Sequence, residues 1–409
     1  MRRSMTFTFL KLFVFLFALM VGWARPTCGE PKKPEMINIF VLGDMSGPYA
    51  SVMAPTQVAL DDCSAYINDK LGGVDGVPIK VTNFDTGGKM DVGLTAYSQA
   101  REIKPKPLVG FGYISSLNAA LREQLIQDEI VFIATTAPDA IYPQGYTFGW
   151  FPLYPDWYGV FIDWLAKKEP SAKLAILTWD TAFGRGVMTR ECAAYTKSKG
   201  IDLVAQEVFP INAVSVETQL RKIRARGAQW IYSNTTSGGA QLILRNAREM
   251  GFNIRLAGAE HMGDYSLSRL AGDELVNGTI SSWYQTNFED VDDPGMKIVI
   301  RYFEKGGYPE KYKTHSYPIM WTALGTAYEA IKKAVKEAGW ERLDGNSVKE
   351  AMMTLRDFRP FGGLSYITYT KDRRTPTKAY MTEIRNGKMV RISDWMDCPD
   401  LRDPEMKLK

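Results

Sequence analysis

The sequence predicts an α/β protein built from two doubly wound parallel-sheet lobes. Short apolar runs alternate with one-sided amphipathic segments, and the alternation occurs as two separate series, one on either side of residue 155. Strands that alternate with helices form parallel sheets covered by helices on both faces. Length agrees: the chain has 409 residues, and at ~150 residues per domain it holds at least two.

The first series opens with a strand over Ile37–Leu42. Pro55 fits the first turn of a helix, and Ala59, Cys63, Tyr66 and Ile67 then form an apolar stripe that Gly72-Gly73 ends. Strand Ile79–Phe84, helix Val92–Glu102, strand Leu108–Gly110, helix Asn118–Gln127 and strand Val131–Ala134 follow. The second series runs helix Trp157–Lys168, strand Leu174–Thr178, helix Gly186–Lys199, strand Leu203–Phe209, helix Glu217–Arg226 and strand Trp230–Ser233. Helix Gly238–Met250 and strands Arg255–Gly258 and Gly278–Trp283 complete it.

After residue 284 helices dominate, over Asp293–Lys305, Ser316–Ala338 and Ser347–Leu355. Two short strands are expected next, Leu364–Thr368 and Ala379–Arg385, with Asn386-Gly387 as a hairpin-type turn. The last dozen residues are charged and read as loose.

Composition excludes several classes. Hydrophobic residues make up 45% and charged residues 23%, which excludes a disordered or fibrous chain. Arg2, Arg3 and Lys11 precede an apolar run, Leu12–Trp23, with small residues at Gly22 and Ala24. That run is short of the ~20 residues that span a bilayer. It reads as a signal peptide over residues 1–24, which directs the chain out of the cytoplasm. Of the 50 Lys and Arg residues, those three fall in the leader, so the mature chain is nearly neutral against 46 acidic residues. A nucleic-acid partner is therefore not expected. Cys28, Cys63, Cys192 and Cys398 are widely spaced, which excludes the usual metal-site patterns. Cys63 reads as a buried small hydrophobe, and Cys192 with Cys398 could pair in an oxidising compartment.

Catalytic motifs are missing. The chain has two histidines, His261 and His315, and neither H-E-x-x-H, G-x-S-x-G nor a phosphate-binding loop. Gly110-Phe111-Gly112-Tyr113-Ile114-Ser115 is a weak dinucleotide fingerprint on the wrong strand. No enzyme activity, cofactor or metal is expected. The informative positions are the carboxyl ends of strands, where open parallel sheets bind ligands and helix N-termini offer free N–H groups. Four such junctions carry hydroxyls: Asp44-Met45-Ser46, Ser115-Ser116, Ala134-Thr135-Thr136 and Asn234-Thr235-Thr236-Ser237. N-capping is the simpler account of any one of them, and it is the four together that point to a ligand. Glu260 follows strand Arg255–Gly258, where a carboxylate could receive a ligand ammonium or simply start a helix. His261 reads as its hydrogen-bonded neighbour rather than a ligand group.

With these residues in place, the chain resembles the periplasmic solute-binding proteins of the leucine/isoleucine/valine-binding type, the ligand-capture subunits of ABC importers. Ile37-Asn38-Ile39-Phe40-Val41-Leu42-Gly43-Asp44-Met45-Ser46-Gly47-Pro48-Tyr49-Ala50 is similar to the family's first strand and its S-G-P-x-A loop. Gly72-Gly73 with Gly76, Gly112-Tyr113-Ile114-Ser115-Ser116, Ala134-Thr135-Thr136-Ala137-Pro138, Asp180–Gly186, Gln241–Gly251 and Gly258-Ala259-Glu260 follow in the family's order. The resemblance spans residues 36–395.

The resemblance implies a type I periplasmic binding fold whose lobes are joined by three hinge crossovers. Lobe one would comprise residues 36–155 plus 284–361, and lobe two residues 156–283 plus 362–409. It implies that Ser115, Ser116 and Thr136, with Thr135 beside them, hold an α-carboxylate from lobe one, and that Glu260 holds the α-ammonium from lobe two. Thr235 and Phe183 stand where the family often has tyrosines, and Val52 replaces a frequent aromatic. The expected ligand is an amino acid, branched-chain or related; the alternative is an amide, urea or small carboxylate. The expected partners are that ligand and an inner-membrane ABC permease, with the protein a periplasmic monomer. Trp150, Phe151, Tyr154, Trp157 and Tyr158 would either line the side-chain pocket or pack the first crossover.

Overall fold

A computed structural model describes residues 33–408. The expected signal peptide and Cys28 lie outside the described residues. The chain forms two parallel-sheet lobes. In the first sheet, β1 (Ile37–Gly43) lies between β2 (Ile79–Asp85) and β3 (Val109–Gly112), followed outward by β4 (Val131–Ala134) and β5 (Thr147–Gly149). All its pairings are parallel. Helices α1 (Ala50–Lys70), α2 (Met90–Ala100), α3 (Ser115–Asp128) and the short α4 (Pro138–Ile141) connect them. Strand β1 is buried along its whole length, as a central strand covered on both faces must be.

The chain then crosses through α5 (Tyr154–Lys168) into the second sheet. There β6 (Lys173–Trp179), β7 (Asp202–Phe209), β8 (Trp230–Ser233), β9 (Arg255–Ala259) and β10 (Ile280–Trp283) run in the spatial order β10-β9-β8-β6-β7, all parallel. The intervening helices are α6 (Ala182–Arg185), α7 (Arg190–Ser198), α8 (Glu217–Ala225), α9 (Ser237–Glu249), α10 (Tyr265–Ala271) and α11 (Asp273–Val276).

A second crossing returns the chain to the first lobe as α12 (Pro294–Gly306), α13 (Ser316–Ala338) and α14 (Gly345–Met352). Helix α13 packs along α1, and α14 against β4. A third crossing reaches β11 (Lys378–Arg385), which pairs antiparallel with β10 and then with β12 (Lys388–Arg391) through the Asn386-Gly387 turn. Both turn residues have positive φ, 50° and 76°, as a two-residue hairpin turn requires. β13 (Met396–Asp397) also pairs with β11. No described helix is long and apolar enough to cross a membrane.

The structure differs from the sequence reading at several points. Helix α1 starts at Ala50 and carries Pro55 inside it, because Asp44 turns the preceding loop early. Its carboxylate accepts the N–H groups of Gly47 at 2.6 Å and Tyr49 at 2.8 Å. The helix expected over Gly186–Lys199 starts only at Arg190, as α7, and the short α6 precedes it at Ala182–Arg185. Each has a threonine N-cap: Thr181 accepts from the Gly184 N–H and Thr189 from the Cys192 N–H. Leu364–Thr368 makes only isolated bridges, with Gln285 and Phe358, and no strand.

The third crossing also comes later than Phe361. The Arg374 carbonyl accepts from the Gly149 N–H at 2.7 Å, and the Tyr369 hydroxyl donates to the Gly149 carbonyl at 2.7 Å. Residues 369–374 therefore still lie along the first lobe. The C-terminus is docked rather than loose. Cys398, Leu401 and Arg402 are buried, and Gln144 of the first lobe donates to the Met406 carbonyl at 3.1 Å. Cys63, Cys192 and Cys398 are free, buried thiols, so Cys192 and Cys398 do not form the disulfide considered above.

Candidate functional site

The cleft between the lobes holds a cavity of about 300 Å³. The first lobe contributes Pro48, Tyr49, Val52, the segment Tyr113–Ser116, Thr135, Trp150 and Phe151. The start of the first crossing contributes Tyr154, and the second lobe Thr181, Ala182, Phe183, Ile211, Thr236 and His261. His315, Ser316 and Ile319 close it at the start of α13. An adjoining chamber of about 1030 Å³ shares Pro48, Val52, Ile211, Thr236, His261, His315 and Ser316 with it.

Polar groups concentrate on the first-lobe wall. Helix α3 begins at Ser115 after Ile114, which offers no side-chain cap, and its first intrahelical bond is Asn118 N–H to the Ile114 carbonyl. The N–H groups of Ser115, Ser116 and Leu117 are thus free of main-chain partners, as at any helix start. Thr135 Oγ1 lies 3.0 Å from Ser115 Oγ and accepts from Asn118 Nδ2 at 2.8 Å. Asn118 also donates to the Gly112 carbonyl at 3.1 Å, which ties β3, α3 and the end of β4 together. The Tyr154 hydroxyl lies against Ser115 and Thr135, and burial raises its pKa. Burial and the nearby Asp44 push Tyr49 up to about 12. Both phenols stay neutral donors at physiological pH.

The rest of the wall is aromatic. Trp150 lies 4.6 Å from Tyr113, Phe151 5.7 Å from Tyr154, Tyr154 5.1 Å from Phe183 and Phe183 4.9 Å from His261, centroid to centroid. Trp150, Phe151 and Tyr154 line the cavity. Trp157 and Tyr158 pack the crossover instead; Tyr158 meets Thr196 Oγ1 at 2.6 Å.

Of the site residues named from the sequence, Ser115, Ser116, Thr135 and Phe183 come together on the cavity wall. Thr136, Thr235 and Glu260 are not on it. Thr136 Oγ1 donates to the Pro152 carbonyl at 2.7 Å and fastens the first crossover. Thr235 Oγ1 pairs with Ser233 Oγ at 3.1 Å behind α9, and its neighbour Thr236 lines the cavity. Asp44 and Ser46 also stay out of the cavity, where Tyr49 and Val52 of the same loop and helix stand.

Glu260 is fully buried. Its Oε1 accepts from Gln285 Nε2 at 3.3 Å, and its Oε2 has no partner. Burial raises its pKa well above the ordinary carboxylate value; the Tyr284 main-chain N–H opposes the shift and Asp264 adds to it. Among the described residues that line the cavity there is no Asp, Glu, Lys or Arg.

His261, His315, Tyr49, Tyr113 and Ile319 are cavity residues that the sequence reading did not assign to ligand. Tyr49 could have been found from its place in the S-G-P loop. His315 precedes α13, and no local motif connects it with Glu260 or Ser115.

A family model described as periplasmic binding protein matches residues 36–388. A Pseudomonas aeruginosa protein named leucine-, isoleucine-, valine-, threonine- and alanine-binding protein is 25% identical over 340 residues, covering 81% of this chain and 86% of that one. The structure of a branched-chain amino acid ABC transporter from Thermus thermophilus with bound valine superposes with a TM-score of 0.81 at 20% identity, covering 90% of this chain and 98% of that one. A fatty acid ABC transporter substrate-binding protein from Thermomonospora curvata gives 0.78 at 17%, covering 92% and 96%.

Proposed function

Because the chain belongs to the periplasmic binding protein family, we propose that it is an exported capture protein for a small carboxylate with an apolar body and no charged ammonium, which it delivers to an ABC permease. One observation carries the ligand class. The cavity offers free N–H groups and hydroxyls at the start of α3, and no carboxylate among the described residues that line it. Helix N-termini favour anions, whereas a desolvated ammonium needs a paired anion. The aromatic wall suits the apolar body.

Ligand first meets the Ser115–Leu117 N–H groups and the Ser115 and Ser116 hydroxyls. Closure then brings Phe183, Thr236 and His261 onto it. Contacts made only in the closed form are what hold the lobes together.

A second reading is capture of an α-amino acid. It is favoured by the Pseudomonas relative's name and by the position of Glu260 just after β9. It requires Glu260 to leave Gln285, enter the cavity and ionise.

The test is thermal unfolding of the mature chain, refolded to strip ligand, against matched pairs such as leucine and 4-methylpentanoate. A ligand at 100 times its Kd adds about 2.7 kcal/mol of stability. The proposal expects a shift with the acid lacking the amine. It expects that shift to be lost in a Ser115→Ala/Ser116→Ala double variant. A shift confined to α-amino acids overturns it.

A further inference from the structure

The cavity has one polar group on the second lobe whose protonation the structure fixes. Asn234 follows β8, and its Nδ2 donates to the main-chain carbonyl of Phe183 at 2.6 Å. A carbonyl only accepts, so the amide can be oriented one way alone. Its Oδ1 then lies 2.9 Å from His261 Nε2. An amide oxygen also only accepts, so His261 carries its proton on Nε2.

The ring is buried, 4.9 Å from Phe183 and 5.5 Å from Trp157, centroid to centroid. Burial drives its pKa down to about 3; His315 adds to this and Asp264 opposes it. His261 is therefore neutral at physiological pH. A neutral imidazole protonated on Nε2 has a bare lone pair on Nδ1. Nδ1 has no hydrogen-bond partner among the described residues, and the ring lies on the cavity wall.

Resting on the reading of the cleft as a carboxylate site, we infer that His261 is a specificity-determining residue, selecting ligands that carry a hydroxyl or neutral N–H donor on their apolar body. The two walls have opposite characters. The start of α3 supplies donors for the carboxylate, and His261 supplies an acceptor on the facing lobe. A ligand without the donor closes the cleft over an unpaired, desolvated lone pair. The cost of such a group corresponds to roughly 10- to 100-fold in affinity.

Calorimetric titration of the mature chain with benzoate, 3-hydroxybenzoate, 4-hydroxybenzoate, 3-phenylpropanoate and 3-(4-hydroxyphenyl)propanoate tests this. At least one hydroxylated acid is expected to bind roughly 10-fold or more tightly than its parent. His261→Phe should abolish that difference. Equal binding of every pair, unchanged in His261→Phe, overturns the inference and leaves the carboxylate site standing. Failure of every acid to bind overturns both.

A second measurement does not depend on that variant folding. The chain has only two histidines, so ring ¹⁵N spectra resolve them, with His315→Gln giving the assignment. His261 should be the Nε2–H tautomer, with an Nδ1 resonance that moves when a hydroxylated acid is added. The opposite tautomer overturns the inference.

Discussion

His315 and Asp264 meet across the cleft. Asp264 begins α10 in the second lobe, and His315 precedes α13 in the first. Asp264 Oδ2 accepts from His315 Nδ1 at 2.6 Å and from the His315 main-chain N–H at 3.1 Å. Its Oδ1 accepts from Ser237 Oγ at 2.9 Å and caps α10 through the Ser266 N–H at 2.8 Å. Burial alone would raise the pKa of Asp264, but His315 and Ser237 more than offset it, so the carboxyl is held low.

This pair should behave as a latch of the closed form. Asp264→Ala leaves buried donors unanswered and should cost about 3–5 kcal/mol, read as a fall in urea midpoint. The sign of its pH dependence follows from the lowered pKa. Its stabilisation is present above the unfolded value of about 4 and is lost as pH falls through the lower folded value. Wild type and variant should therefore converge in acid. A constant gap from pH 7 to pH 3 contradicts an ionised latch.

His261 should produce a separate pH dependence. The unfolded chain protonates it below about 6.5, the folded chain only below about 3. Between these values the unfolded state holds more protons, so stability rises with pH. The contribution is complete above about 6.5 and is lost toward pH 3, by at most ~1.4 kcal/mol per pH unit. His261→Phe should flatten the dependence of the urea midpoint between pH 7 and pH 4; an unchanged slope would place the titrating group elsewhere.

Glu260→Gln should preserve the fold, because the amide keeps the size of the side chain and burial already disfavours its charged form. Its raised pKa means that the folded state keeps a proton that the unfolded state releases above about 4.5. Glu260 therefore costs increasing stability as pH rises from there. The variant should unfold at higher urea than wild type at pH 7.5, with the gap closing near pH 4. Affinity for a carboxylate of the proposed class should stay unchanged. Loss by orders of magnitude would instead put an ammonium beside Glu260.

Arg402 should anchor the C-terminus. Its guanidinium meets Asp372 Oδ2 at 2.6 Å and Asp400 Oδ2 at 2.8 Å, with no exposed side-chain surface. It also lies 4.8 Å from the Tyr142 ring centroid. Arg402→Ala removes the cation that meets Asp372 and leaves Asp400 with Arg373 and Lys407 alone. A loss of about 3–5 kcal/mol is expected, together with protease cleavage after residue 397 that wild type resists. A variant as stable as wild type would show that the tail is merely laid on the surface.

Cys63, Cys192 and Cys398 should not react with a thiol reagent until the chain unfolds. All three are buried, and burial raises each thiol pKa, which removes the reactive thiolate. Rapid labelling of any of them in the native protein would contradict their placement.

How much of the site was legible depended on whether its chemistry was local. Ser115 and Ser116 could be assigned because a hydroxyl pair at a strand end that starts a helix is a local pattern. Glu260 followed the same local rule, yet the structure turns it away from the cavity onto Gln285, a residue of the second crossing. Thr136 and Thr235 lie at the right junctions, but their hydroxyls are taken by Pro152 and Ser233. The charged tail read as loose because nothing near Arg402 in the sequence, apart from Asp400, announces Asp372 and Tyr142 as its partners.

The sequence by itself determined the alternation of strands and helices, the two-lobed fold and the family, because hydrophobic periodicity and turn residues act over a few positions. Packing of distant segments set which polar groups face the cavity. It brought His261 and His315, on different lobes, to one cavity, and it fixed the proton of His261 through Asn234 and Phe183. It also raised the pKa of Glu260 by enclosing it. Burial and pairing depend on residues far apart in the chain, and a carboxyl or an imidazole changes its chemistry only once water has been removed from around it.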